Sequence, residues 1–368
     1  VDGEGTKQKE YLDKLLELFP SDKRVQHLAG QYFNFRERDF ETALKYYQRV
    51  IELDKTYAPV YNSIGYLHLL LGNYKEAEKA FVEQIKLMSD RPNPYDSYAE
   101  LLVRMGRYDE SIEQYKKALN KDASFTSANA GIGDNYIFKG DYETARKYYE
   151  NYFDNDPRVT AKFNALDKIA GSFILEENIT KALEIYERYR TLAKEHNRVS
   201  SIVQSYINEC LIMTESGNAA EGLHRYQKAA EVVNASDTPE AVKNEYGVLS
   251  RFWECYVLLA NNETETALTK MKGLSPIVEK KQDPNDLRWM SFLNGMVESK
   301  KGNYTMAQEH YSSSWPDIPI IKYYVAVTYE KMGEKDKANE LYQELEDRKQ
   351  NNLALALVKH NIKKMTAR

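Results

Sequence analysis

The residues of this chain that could do chemistry are few and scattered. Its six histidines, His27, His68, His196, His224, His310 and His360, never stand three or four positions apart. No helix can therefore offer two imidazoles to one metal ion on one face. Phosphate loops, nucleophile elbows and His-Glu-x-x-His zinc motifs are all missing from the sequence. Gly131-Ile132-Gly133 is half of a dinucleotide fingerprint, but it follows no strand pattern and reads as close helix packing. Cys210 and Cys255 are too few for a disulfide framework and suit buried, small apolar positions. No catalytic residue, metal site or cofactor is expected. What remains is a set of carboxylates and aromatics, whose meaning depends on the elements that carry them.

Those elements follow from a ladder. Phe40, Tyr74, Tyr108 and Tyr142 recur every 34 residues. Ala43, Ala77, Ser111 and Ala145 keep the same step, and so do Tyr47, Phe81, Tyr115 and Tyr149. An aromatic, a small residue three positions on and an aromatic four further place all three on one helix face. Three columns in one phase mean an internal repeat. Each unit reads as two helices joined by a short turn. Gly72 suits the left-handed cap of a first helix. Pro92 and Pro157 fall at joints between units.

This pattern resembles the tetratricopeptide repeat: an aromatic early in the first helix, a small residue at its eighth position, Gly before the turn, then aromatic, Ala, aromatic and Pro. The resemblance is strong over residues 24–157 and covers nearly the whole chain. Asn93-Pro94-Tyr95-Asp96-Ser97-Tyr98-Ala99-Glu100 also resembles an uncharacterised group of bacterial proteins with these repeats. Beyond Asp156 the period lengthens, with Ala182, Gly222, Ala267, Ala307 and Ala338 in the place of Ala145. That spacing is similar to long-helix variants of the family in kinesin light chains and bacterial peptide-responsive regulators. The extra residues are expected in longer helices or in loops, with polar loops near Asn234–Glu240 and Lys280–Asp286.

The resemblance implies an all-α, right-handed superhelix of about nine helical hairpins with a lone helix at each end. The expected divisions are a half-repeat helix over 1–23, four regular units over 24–157, five irregular units over 158–348 and a capping helix over 349–368. In this family first helices line a concave groove. The positions that would face it include Tyr32, Phe35, Asn62 and Tyr66, then Asp96, Glu100, Asp134 and Asp167, then Phe252, Tyr256, Trp289 and Phe292. The groove thus reads aromatic, acidic, aromatic. Aromatics anchor protein interfaces, and an acidic centre favours a basic ligand. The Lys and Asn clamp that holds chaperone C-termini is not matched: the first unit has Leu28 and Tyr32 there.

The functional expectation is a non-enzymatic scaffold binding a protein or peptide segment, with a basic one favoured by the acidic centre. The formal net charge of −5 disfavours nucleic acid, and no apolar run reaches the ~18–20 residues of a membrane span. The alternatives are self-assembly into a homo-oligomer through an apolar edge of the first helix (Leu12, Leu15, Leu16, Phe19) and service as the docking or sensor half of a longer regulator or enzyme. The chain begins at Val1 rather than Met, which suggests an upstream segment and leaves a bacterial cytoplasmic or periplasmic location equally open.

Overall fold

The computed structural model describes residues 2–366, and among them it contains twenty helices and no strand. The chain divides into two compact units, Val1–Gly140 and Asp141–Arg368. In the first lie α1 (Asp2–Leu18), α2 (Lys23–Tyr32) with a π-helical turn (Phe33–Glu37), α3 (Phe40–Leu53), α4 (Ala58–Leu70), α5 (Tyr74–Leu87), α6 (Asn93–Arg104), α7 (Tyr108–Lys121) and α8 (Ser127–Phe138). The second holds α9 (Tyr142–Asn155), α10 (Val159–Leu175), α11 (Ile179–Glu195), α12 (Val199–Glu215), α13 (Ala219–Ala235), α14 (Glu240–Ala260) and α15 (Thr264–Lys281). It ends with α16 (Pro284–Lys301), α17 (Tyr304–Ser312), α18 (Pro319–Lys331), α19 (Lys335–Asp347) and α20 (Leu353–Thr366). Consecutive helices pack as hairpins within each unit: α2–α3, α4–α5 and α6–α7 in the first, and α10–α11, α12–α13, α14–α15, α16–α17 and α18–α19 in the second. The fold class is the expected one, all-α and built from repeated helical hairpins.

Local chemistry sets the helix ends. Asp39 precedes α3 and accepts the amide of Thr42, and Asp141 does the same for Thr144 at the start of α9. Each satisfies a donor that the first helical turn cannot. Gly72, Gly106 and Gly140 close first helices at φ of 74°, 74° and 77°, a left-handed conformation that costs glycine little.

In three hairpins a ring is laid on a glycine of the facing helix. A Cβ built on Gly65 would stand 2.5 Å from the ring of Phe81, and one on Gly295 would stand 2.6 Å from Tyr311. Gly30 and Tyr47 repeat the contact at 2.3 Å. Gly131 receives Tyr115 of the preceding unit at 2.3 Å, so the half-fingerprint packs against an aromatic. Ala43, Ala77 and Ala145 are fully buried.

Past residue 158 the helices absorb the extra length. From α10 to α13 each has 17 residues, against 12 to 14 from α4 to α9. The polar loops expected near Asn234–Glu240 and Lys280–Asp286 shrink to Ser236–Pro239 and Gln282–Asp283. A turn added to a paired helix buries more apolar surface than a loop can, and its backbone groups stay bonded.

Gly65→Ala weighs two effects against each other. Alanine favours a helix by about 1 kcal/mol over glycine, but the overpacking against Phe81 costs roughly 1–3 kcal/mol. The expected outcome is a net loss, read as a lower denaturation midpoint. A raised midpoint would show that the ring yields.

Candidate functional site

In the first unit α4 packs beside α6, and α6 beside α8. Asn62 and Tyr66 come from α4, Asp96, Ser97 and Glu100 from α6, and Asp134 from α8. The 34-residue period places Tyr66, Glu100 and Asp134 at equivalent positions of three units. The Tyr66 hydroxyl donates to Glu100 Oε2 at 2.8 Å and lies 3.2 Å from Ser97 Oγ, which donates to Asn62 Oδ1 at 3.0 Å. Tyr66 also meets Phe81 edge-on, with ring centroids 5.2 Å apart. Asn62, Tyr66, Ser97 and Glu100 are thus hydrogen-bonded across α4 and α6, with Asp96 one turn before Glu100 on α6.

The electrostatics of this face are one-sided. Asp96 is half-buried, and burial, reinforced by Glu100, pushes its carboxyl up to about 7. Among the described residues neither Asp96 nor Glu100 is ion-paired to a lysine or arginine. Tyr115, beneath Gly131, is raised well above its ordinary value by burial and then by the fields of Asp96, Glu100 and Asp134. A carboxylate held reluctantly ionised gains from a neighbouring cation more than a solvated one does.

The remaining expected groove residues part company. Tyr32 turns its hydroxyl to Glu37 at 2.7 Å and its ring to Phe33. Phe35 sits in the π-helical turn and is 69% exposed. In the second unit Asp167 accepts from Tyr186 at 3.0 Å and from Asn208 at 3.5 Å, and burial raises its carboxyl to about 6. Phe252, Tyr256 and Phe292 correct the reading of them as exposed anchors: they are 0%, 2% and 2% exposed. The cause is an aromatic core. Trp289, half-buried, has Phe252, Trp253, Phe292 and Trp315 around it with centroids 5.5–6.1 Å away. Cys210 and Cys255 are buried free thiols of the same core, raised by burial to about 12 and about 11. Such thiols do not act as nucleophiles.

Two polar groups of the second unit escaped the sequence reading. Arg190 and Glu209, 2% and 1% exposed, pair at 2.8 Å, and Arg225 reaches the other Glu209 oxygen at 3.1 Å. They tie α11, α12 and α13 together. Glu215, at the end of α12, accepts from Tyr256, from Tyr324 at 3.1 Å and from Asn361 of α20 at 2.8 Å. Burial raises its carboxyl. Asn361 belongs to the segment expected to cap the last repeat. That segment, α20, does meet α18 and α19, but it packs most extensively on α10 and also reaches α12.

Asp96 supplies a stability test. Its folded value near 7 lies above the unfolded ~4, so ionisation opposes folding, and stability falls as pH rises from about 4 to 7. Asp96→Asn is expected to match the parent near pH 4 and to exceed it by roughly 2 kcal/mol above pH 7, discounted for the water-facing edge. Denaturation at several pH values checks this. A difference independent of pH would remove the buried-charge account.

Comparison with known proteins agrees with the repeat architecture. Family models described as tetratricopeptide repeat match residues 46–79, 93–123, 126–158 and 322–348. A TPR repeat-containing protein of Methanocaldococcus jannaschii is 22% identical over 380 residues, covering 90% of this chain and 65% of that one. The tetratricopeptide repeat-containing protein trd-1 of Caenorhabditis elegans is 22% identical over 179 residues, covering 48% of this chain and 23% of its own. The chain thus spans less than two thirds of either curated relative. Among solved structures, pilF of Pseudomonas aeruginosa is 17% identical with a TM-score of 0.40, covering 62% of this chain and 90% of that one. MamA of Desulfovibrio magneticus is 16% identical with a TM-score of 0.39, covering 47% and 96%.

Proposed function

The chain belongs to the tetratricopeptide-repeat superfamily, and from that premise we propose that its first unit is a peptide-binding scaffold that takes a basic segment along α4, α6 and α8. Proteins of this superfamily are in general interaction scaffolds rather than enzymes. The observation that carries the finer reading is Asp96, a half-buried carboxyl raised to about 7 beside Glu100 and, among the described residues, without an ion pair. A lysine or arginine side chain laid there would lower that value and regain the free energy of desolvation. Tyr66 offers a ring face to the same cation, and Asp134 extends the acidic surface towards α8. The ligand class is a protein or peptide segment with spaced basic residues.

The probes are a lysine-rich and a glutamate-rich peptide of equal length, titrated against the full chain. Binding of the basic peptide is expected to strengthen as pH rises through 7, where Asp96 ionises, and to weaken with salt. Asp96→Lys with Glu100→Lys is expected to weaken it by about tenfold or more, ~1.4 kcal/mol, with the helical circular-dichroism signal kept. Equal binding of both peptides, or an unchanged affinity after reversal, would overturn the proposal.

A second reading rests on a separate apolar patch. Leu12 is buried at 3% exposure, so the edge expected on α1 is shifted: Leu18 and Phe19 are 68% and 51% exposed, and Leu28 of α2 is 46% exposed. Leu15, Phe19, Val25 and Leu28 border a cavity of about 390 Å³. Contiguous exposed apolar surface of this kind marks an association site. Sedimentation of the parent is expected to show self-association that Phe19→Glu with Leu28→Glu abolishes. A monomer at high concentration would dismiss this reading.

A further inference from the structure

In the second unit one helix breaks the rule that repeats touch only their neighbours. The seat of α20 is formed chiefly by α10, with α12, α18 and α19 contributing. Three of these four are first helices of their hairpins. Leu355, Ala356, Leu357 and Val358 are consecutive, and none is more than 3% exposed. Four consecutive helical residues point in almost every direction around the axis, so the helix is enclosed rather than laid on a surface. The close approach to α10 is set by Gly171, where a Cβ would stand 3.1 Å from Asn351 Oδ1 and 3.8 Å from the Ala356 methyl.

The polar contacts of this helix are specific. Asn351 donates to the Tyr149 hydroxyl at 2.9 Å, Asn361 to Glu215 at 2.8 Å, and Lys363 pairs with Glu177 at 2.8 Å. A peptide ligand in a repeat groove would be held by the same kinds of contact: apolar side chains in a seat, an amide on a buried carboxylate and a basic end on an acidic one.

The fit is nevertheless incomplete. His360 is 3% exposed, and neither of its ring nitrogens has a hydrogen-bond partner among the described residues. A buried imidazole left so costs stability. A cavity of about 380 Å³ adjoins the seat, bordered by Met296, Tyr323, Tyr324, Asn361 and Met365. A helix that served only as core would be expected to fill that space and bond that ring.

We infer that the seat of α20 is a helix-binding groove with α20 as its resident occupant, open to a partner helix of the same chemistry: a Leu- and Ala-rich core, one central amide and a basic last turn. The five residues 348–352 between α19 and α20 act as the tether. Because α20 is tethered, it competes at a high effective concentration, and a free helix wins only by fitting better or when the resident is loosened. Protonation is one loosening route. Burial, with Lys364 and Lys363, holds the His360 ring below its ordinary value against the opposing pull of Glu177. The seat is therefore intact above the ordinary histidine range of ~6.5 and weakens as pH falls below it.

The probe is a fluorescent peptide of residues 351–365 carrying His360→Leu, so that only the resident helix titrates, added to the full chain at pH 7.5 and 5.5. The parent is expected to bind it weakly at the higher pH and about tenfold tighter at the lower. Leu357→Ala in the chain should raise affinity about tenfold at pH 7.5 by loosening the resident, and His360→Leu should lower it about threefold and remove the pH dependence. A peptide with Asp in place of Leu355 and Leu357 should not bind. Absence of binding by a folded Leu357→Ala chain, or equal binding of the Asp peptide, would overturn the inference. Should that variant fail to fold, amide exchange of the parent decides: α20 must exchange at least about tenfold faster than α10, and equal protection of the two would overturn it.

Discussion

Paired helices of this molecule approach most closely where a ring occupies the space of a missing Cβ. Where Phe81 covers Gly65 or Tyr311 covers Gly295, two helices approach more closely than any larger residue would permit. The approach fixes the angle of the hairpin and lets the next hairpin dock on it. Glycine lowers helix propensity, and the contact more than offsets that loss through buried aromatic area. Several of the 29 tyrosines, Tyr47 and Tyr311 among them, belong to this packing.

The two units put the same architecture to different use. In the first, the row of α4, α6 and α8 presents Asp96, which has no ion pair among the described residues, while Glu100 accepts from Tyr66. In the second, the comparable row carries a helix of the chain itself, and its carboxylates are already engaged: Asp167 by Tyr186 and Asn208, Glu215 by Tyr256, Tyr324 and Asn361. Charge on a repeat face is thus either offered or consumed, and the hydrogen-bond partners tell which.

What could be read from the sequence follows from how far its signals reach. The ladder reports contacts within a unit and between adjacent units, so hairpins, helix order and the burial of Ala43, Ala77 and Ala145 were all legible. Asn62, Tyr66, Asp96 and Glu100 came together because period alone brings equivalent positions into line. Phe252, Tyr256 and Phe292 were misread because an aromatic at an inward position looks the same whether a groove or other aromatics lie opposite, and here Trp289 lies against Phe252 and Phe292, and Trp253 against Tyr256. Glu215 looks like an ordinary turn-flanking residue. Its partners Tyr324 and Asn361 lie 109 and 146 residues away, beyond anything periodicity encodes.

The enclosed helix also changes what kind of polymer the second unit is. A linear stack has low contact order, and it can nucleate anywhere and fray from its ends. Tyr149 and Asn351, bonded across 202 residues, close a long loop, and that loop's entropy must be met before the contact stabilises anything. Such closure slows the final assembly step, and while α20 is seated it ties α10 and α12 to α18 and α19, so the repeats between them are held against fraying one at a time until that helix lifts.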